Sequence, residues 1–291
     1  MLRNKVLVGF FAFGVLLARS TCLSAEEGAE SESRIFDGKE KSFVVCGYST
    51  SFKWPSLLQE KLDRMTGGKR VYHVLNAAAA GSAISKWIDV KTGTPKRPYS
   101  LMLRRFFARN TGAEISPRSH RRMDANRDAP KPTIALCQQS LQGIERTDGK
   151  EAPRAGPVFS ADDANGIEVG AKAFARLAEM LHRDGCELVF IAMHIYKEGM
   201  EPNIGNERYA LDALMKKEIP YLRRGPDVWT PTKKGFPKLF ARDRRHPNDN
   251  GAAVMAQAWF ETLLAHDSLP VPEWSKVSPQ AGSPEPSSRR P

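Results

Sequence analysis

The chain has 291 residues, 41% apolar and 26% charged, enough to bury a sizeable core in one large or two small domains, and this excludes wholesale disorder. Its 22 Gly and 20 Pro show no three-residue period, and four Cys are too few to staple a disulfide scaffold, so collagen-like and knottin-like architectures fall away. The formal net charge of +11 makes the chain basic.

The first segment belongs to targeting. Arg3 and Lys5 precede an apolar run from Val6 to Ala18, and the small or polar Ser20, Thr21, Ser24 and Ala25 follow, so residues 1–25 read as a secretory signal peptide. A run of 13 residues is too short to cross ~30 Å of hydrocarbon, and no later segment approaches the length of a spanning helix. The expectation is a secreted or periplasmic protein with no stable membrane span after cleavage; an uncleaved anchor is the alternative. Arg19, three residues before Cys22, argues against lipidation at that cysteine. Cleavage near Ala25 would remove three cations and no acids, lowering the net charge from +11 to +8. Cys46, Cys137 and Cys186 would survive, each in or beside an apolar run, and read as small buried thiols.

A polar segment over residues 26–41 leads into the first predicted strand, Ser42 to Cys46, and helical periodicity from Pro55 to Met65 then runs up to the Gly67-Gly68 stop. A second strand, Arg70 to Leu75, ends in Asn76, four alanines and Gly81. The third covers Thr133 to Cys137. Ser160 with Asp163 resembles a capping box that opens a helix through Ala173, Phe174, Leu177 and Leu181 to Gly185. A strand from Glu187 to Met193, a helix from Glu207 to Lys217 and a last helix from about Asn250 to Leu264 complete the series. Alternating strands and helices predict an α/β fold, three layers α/β/α around a mostly parallel sheet, whose ligands bind at the carboxyl ends of the strands.

Two segments break the rhythm. Residues 96–131 hold ten Lys or Arg against three acids, with Tyr99, Phe106 and Phe107 interleaved, and read as a basic insertion. It could grip an acidic ligand, although a solvated surface is the simpler reading, and no nucleic-acid motif accompanies it. From residue 266 to 291 the chain is rich in Pro and Ser without apolar period, and is predicted to be a disordered tail. The folded domain is therefore expected over 42–265.

The residues that could carry chemistry lie at strand ends. Gly47-Tyr48-Ser49-Thr50 follows the first strand, where a hydroxyl faces the ligand crevice, and Ser51 is a nearby rival. Asp243-Arg244-Arg245-His246-Pro247-Asn248 precedes the last helix. An imidazole is what makes a serine hydroxyl nucleophilic, and a carboxylate three residues away can hold that imidazole in one tautomer. The remaining histidines show no paired spacing of the zinc-ligand kind, so neither a metal nor another cofactor is expected. Gly81 permits close approach of a backbone amide to an oxyanion, and Gln138-Gln139-Ser140 places amide donors at the end of the third strand.

In this order the pieces resemble the SGNH, or GDSL-type, hydrolase family over about Phe43 to Leu264. Gly47-Tyr48-Ser49 stands where the family has G-D-S, and Asp243 to Asn248 with Gly251 looks like its closing D-x-x-H-P-N-x-x-G pattern. The resemblance implies Ser49 as nucleophile, His246 as base and Asp243 as its orienting carboxylate, with the Ser49 and Gly81 amides in an oxyanion hole. Its third donor, an Asn, corresponds most closely to Gln139 here, with Gln138 or Gln142 as substitutes, and Tyr48 replaces the family's Asp. The implied activity is a serine esterase acting by acyl-enzyme chemistry on an ester, with acetylated or acidic polysaccharide among the candidate substrates. The alternatives are an O-acyltransferase of the same fold and a catalytically impaired relative that binds polyanionic glycan.

Overall fold

A computed structural model of the chain describes residues 33–113, 128–150 and 155–276. The expected signal peptide, the first residues of the polar segment, the middle of the basic insertion and the chain beyond 276 lie outside the described residues.

Among the described residues five strands form one sheet: β1 Lys41–Gly47, β2 Tyr72–Asn76, β3 Pro132–Gln139, β4 Leu188–Met193 and β5 Leu222–Arg224. They run in the order β2-β1-β3-β4-β5, and every neighbouring pair is parallel. The helices are α1 Trp54–Met65, α2 Ile84–Trp87, α3 Arg97–Phe106, α4 Ala164–Arg183, α5 Glu207–Met215, α6 Trp229–Lys234 and α7 Asp249–His266. A parallel sheet must be covered on both faces, which is why β1, β3 and β4 read as continuous apolar runs. On one face Phe43, Val45, Ile134, Leu136 and Phe190 meet α1 and α7, whose Trp54 and Trp259 rings stack 5.4 Å apart. On the other, Val44, Cys46, Ala135, Cys137 and Ile191 meet α3, α4 and α5. The expected three-layer α/β/α architecture is present, in the strand order of flavodoxin-like folds.

Several boundaries differ from expectation. The longest helix, α4, is capped by Asp163, whose carboxylate accepts from the Gly166 amide at 3.1 Å; Ser160 contributes only its carbonyl, to the Asp163 amide. Arg146 reaches both Asp163 oxygens and holds that carboxyl well below its ordinary range. The helix ends as expected, at Gly185 with φ +116°.

The first part of the basic insertion is α3, and it is core. Tyr99, Met102, Leu103 and Phe106 are buried, the Tyr99 hydroxyl donates to Asp184 at 2.7 Å, and Arg109 ion-pairs with the same carboxylate. The aromatic residues there are packing groups, not a surface platform.

The structured unit also outruns the expected 42–265. Ile35 is fully buried, and Asp267 accepts from the Ile35 and Phe36 amides at 3.0 and 2.6 Å. Trp274 packs on Phe260 with ring centroids 5.9 Å apart. A few apolar anchors in polar surroundings leave no period to read, yet they dock both flanks. Cys46, Cys137 and Cys186 are buried free thiols. Among the described residues no helix is long and apolar enough to cross a membrane, and no cluster of His, Cys, Asp or Glu could hold a metal ion.

Candidate functional site

Because all five strands are parallel, their carboxyl ends share one edge, and the strand order reverses between β1 and β3. Ligands of open α/β sheets bind at such a switch point. Gly47, the last residue of β1, stands opposite Gln138 of β3 there.

The chain leaves β1 through a single 3-10 turn over Ser49–Ser51, closed by the Ser51 amide donating to the Tyr48 carbonyl at 2.9 Å. Gly47 is required by close packing: a Cβ at that position would lie 2.4 Å from Ser51 Oγ. Asn76, at the end of β2, braces the turn by donating to the Ser51 carbonyl at 3.0 Å. Ser51 is itself fully buried, whereas Ser49 is partly exposed, so Ser49 is the accessible hydroxyl.

The opposite wall is the loop before α7. Phe240 and Pro247 bridge as in an antiparallel pair, and the Ala241 amide donates to the His246 carbonyl at 2.8 Å. The tight connection between them puts Arg244 at φ +54°. Asn248 then caps α7, its side chain accepting from Gly251 at 3.0 Å while donating to the Lys238 carbonyl at 2.8 Å. Gly251 lets the helix approach the loop, since a Cβ there would sit 2.2 Å from the Leu239 carbonyl oxygen. The D-x-x-H-P-N-x-x-G spacing thus has a mechanical basis in this chain.

The two walls meet. Ser49 Oγ lies 2.8 Å from His246 Nε2, and His246 Nδ1 lies 2.5 Å from Asp243 Oδ2. An ionised carboxylate only accepts, so the ring proton sits on Nδ1 and Nε2 is left to accept from the serine. Asp243 Oδ1 also accepts from the Arg245 and His246 amides at 2.9 and 3.0 Å. The imidazole and these amides hold the Asp243 carboxyl well below the usual carboxylate range.

Beside this constellation opens a cleft of about 490 Å³, with Tyr48, Gly81, Gln142 and Arg245 in its wall. Gly81 has φ +62°, and the Ser49 and Gly81 amides donate to no other group among the described residues. Gln138 and Gln139 are fully buried, their amides have no hydrogen-bond partner among the described residues, and neither lines the cleft. The glutamine that does is Gln142, which accepts from the Tyr48 hydroxyl at 3.3 Å. Its loop is fastened from two sides: Ser85 donates to the Gln142 carbonyl at 2.8 Å, and Glu207 accepts from the Leu141 amide at 2.9 Å and the Ser140 hydroxyl at 3.1 Å.

Glu207 and His194 escape sequence reasoning. Glu207 looks like an ordinary acid in a first helical turn, but burial pushes its carboxyl up to about 8. His194, just past β4, is buried under the Ser49 turn, with its ring 4.9 Å from the Tyr48 ring and its Nε2 3.5 Å from Thr50 Oγ1. Burial lowers its pKa to about 4, so it supports the turn as a neutral ring. A polar residue at the end of a buried strand was the one available signal for it.

The fold and the site together define an α/β/α sandwich with a Ser-His-Asp hydrogen-bond chain at its switch point. No family model and no curated protein matches the sequence. Solved structures with similarity include TesA, 15% identical with TM-score 0.45 over 78% of this chain and 99% of that one. An acetyl esterase mutant with an acetate ion is 12% identical, with TM-score 0.45 over 77% and 97% of the two chains. A carbohydrate esterase family 3 protein from Talaromyces cellulolyticus is 12% identical, with TM-score 0.46 over 79% and 100%.

Proposed function

We propose that the protein is an exported serine esterase of the SGNH, or GDSL, type, working through an acyl-enzyme, with acetylated carbohydrate among the substrates to be tested. The observation that carries the reading is the continuous hydrogen-bond chain from Ser49 through His246 to Asp243. Export rests on the pattern of residues 1–25.

In the first step Ser49 Oγ attacks the ester carbonyl carbon while its proton passes to His246 Nε2. Asp243 orients the ring and stabilises the imidazolium. The carbonyl oxygen, now negative, is held by the Ser49 and Gly81 amides, with a side-chain amide as third donor. Gln142 suits that role better than Gln139, because it already lines the cleft. The carbon–oxygen bond to the alcohol breaks, and the alcohol leaves with the proton from Nε2. Water then gives a proton to Nε2 and attacks the acyl carbonyl; the acyl carbon–Oγ bond breaks, the acid leaves, and Ser49 Oγ takes the proton back from Nε2.

The test is hydrolysis of para-nitrophenyl acetate together with labelling by a fluorophosphonate probe. Wild-type protein should do both, and Ser49→Ala and His246→Ala neither. Ester hydrolysis that survives Ser49→Ala intact would overturn the reading.

A further inference from the structure

Three cations line the cleft beside Ser49 from three separate elements: Lys86 from α2, Lys197 from the loop after β4, and Arg245 from the loop that carries His246. Among the described residues no Asp or Glu lines this cleft. None of the three forms an ion pair or a side-chain hydrogen bond among the described residues. The contrast is with the adjoining groove of about 740 Å³, which shares Ser85 and Gly143 with the cleft. There the cations are engaged: Lys91 pairs with Glu145 at 3.0 Å, Arg176 with Glu179 at 2.8 Å, Lys172 with Glu168 at 2.6 Å, and Lys96 donates to the Ser85 carbonyl at 2.7 Å.

Uncompensated like charges facing one cavity repel one another, and a bound anion removes that cost. Lys197 feels it already: its partial burial, and after that the Arg245 guanidinium, lower its pKa. The buried Glu207 carboxyl acts on Lys197 in the opposite sense, but it is already engaged by the Ser140 hydroxyl and the Leu141 amide. The cleft lies where part of a bound ester would be seated in the proposed reaction. Its wall includes Tyr48, which precedes the nucleophile, Arg245, which precedes the base, and Gly81, whose amide faces the developing oxyanion in the proposed reaction. In the proposed reaction one half of the bound ester extends from the reacting carbonyl toward this space.

We propose that the substrate is an ester carrying an anionic group, a carboxylate or sulfate, on the half seated between Lys86, Lys197 and Arg245. The proposal rests on the esterase reading above and adds the charge of the substrate to it.

Two matched pairs of esters test it and locate the charge. Para-acetoxybenzoate against its methyl ester puts a carboxylate on the alcohol side; phenyl hemisuccinate against phenyl methyl succinate puts it on the acyl side. In one pair the anionic member should show kcat/KM at least tenfold higher at low salt, chiefly through KM, and the ratio should shrink as salt rises. Lys197→Gln and Arg245→Gln should each bring the ratio down several-fold and the double variant bring it close to one, while Lys172→Gln, in the neighbouring groove, should leave it where it is. Ratios near one in both wild-type pairs, or a preference that survives the double variant, overturn the proposal while leaving the esterase reading intact. If no ester of either charge is turned over, the esterase reading fails, and the cleft is judged by calorimetric titration with glucuronate and with succinate. Salt-sensitive binding that disappears in the double variant upholds an anion site, and no binding of either ligand overturns it.

Discussion

Asp243 and His246 keep 47% and 45% of their side-chain surface exposed, and that exposure sets what each contributes. Water reaches the carboxylate, so in the proposed mechanism part of its effect on an imidazolium is replaceable, whereas nothing replaces His246 as proton acceptor. Ser49→Ala and His246→Ala should each lower kcat by about 10⁴-fold or more, and Asp243→Ala by one to two orders of magnitude less. Measuring kcat for the three variants on one ester checks the ranking. Equal losses for all three would mean that Asp243 is fully covered once substrate is bound. The third oxyanion donor is decided in the same way. Gln142→Ala should cost about 10²-fold in kcat, while Gln139→Ala, which removes an amide with no partner and no place in the cleft, should change kcat only a few-fold.

The elements that carry these residues depend on two glycines, for steric reasons. At Gly47 an added Cβ meets Ser51 Oγ, a side chain that can shift, but only by disturbing the turn that aims Ser49. Gly47→Ala should therefore lose most activity at a stability cost of about 1–3 kcal/mol. At Gly251 the obstacle is the Leu239 carbonyl, which belongs to the backbone and cannot swing aside. Gly251→Ala should destabilise at least as much, read by urea unfolding, and displace the His246 loop with it. The same elements show what the sequence could reveal. β1, β3 and β4 were legible because burial on both faces leaves uninterrupted apolar runs, and the two ends of the site were legible because each is a short contiguous motif. β5 was not: of Leu222–Arg224 only Leu222 is buried, too little for any period. α3 carries Tyr99, Met102, Leu103 and Phe106 at helical spacing, but interleaved arginines made the segment read as charged surface. Glu207, His194 and the choice of Gln142 depend on tertiary packing, which no local pattern encodes.

For the molecule as a whole, the buried Glu207 ties stability to pH. Its carboxyl, ordinarily near 4.5, is pushed up to about 8, so from pH 4.5 to 8 the folded state keeps a proton that the unfolded state releases. The resulting stabilisation is complete below pH 4.5 and is lost as pH rises through about 8, at roughly 1.4 kcal/mol per pH unit. Glu207→Gln keeps the acceptor for Leu141 and Ser140 and cannot ionise. The wild type should thus lose thermal stability relative to the variant between pH 5 and 8. Parallel melting curves across that range would show that Glu207 is charged in the folded protein. The opposing contribution of His194, lost as pH falls from 6.5 to about 4, is common to both proteins and cancels.

The hydroxyl and the imidazole that meet at the switch point are 197 positions apart. During synthesis a ribosome therefore releases almost the entire sheet before the proton acceptor exists, and a fragment ending anywhere ahead of the final loop carries a serine with no partner. On the proposed reading, reactivity toward esters requires both ends of the chain, so a polypeptide clipped ahead of His246 should be inert toward them.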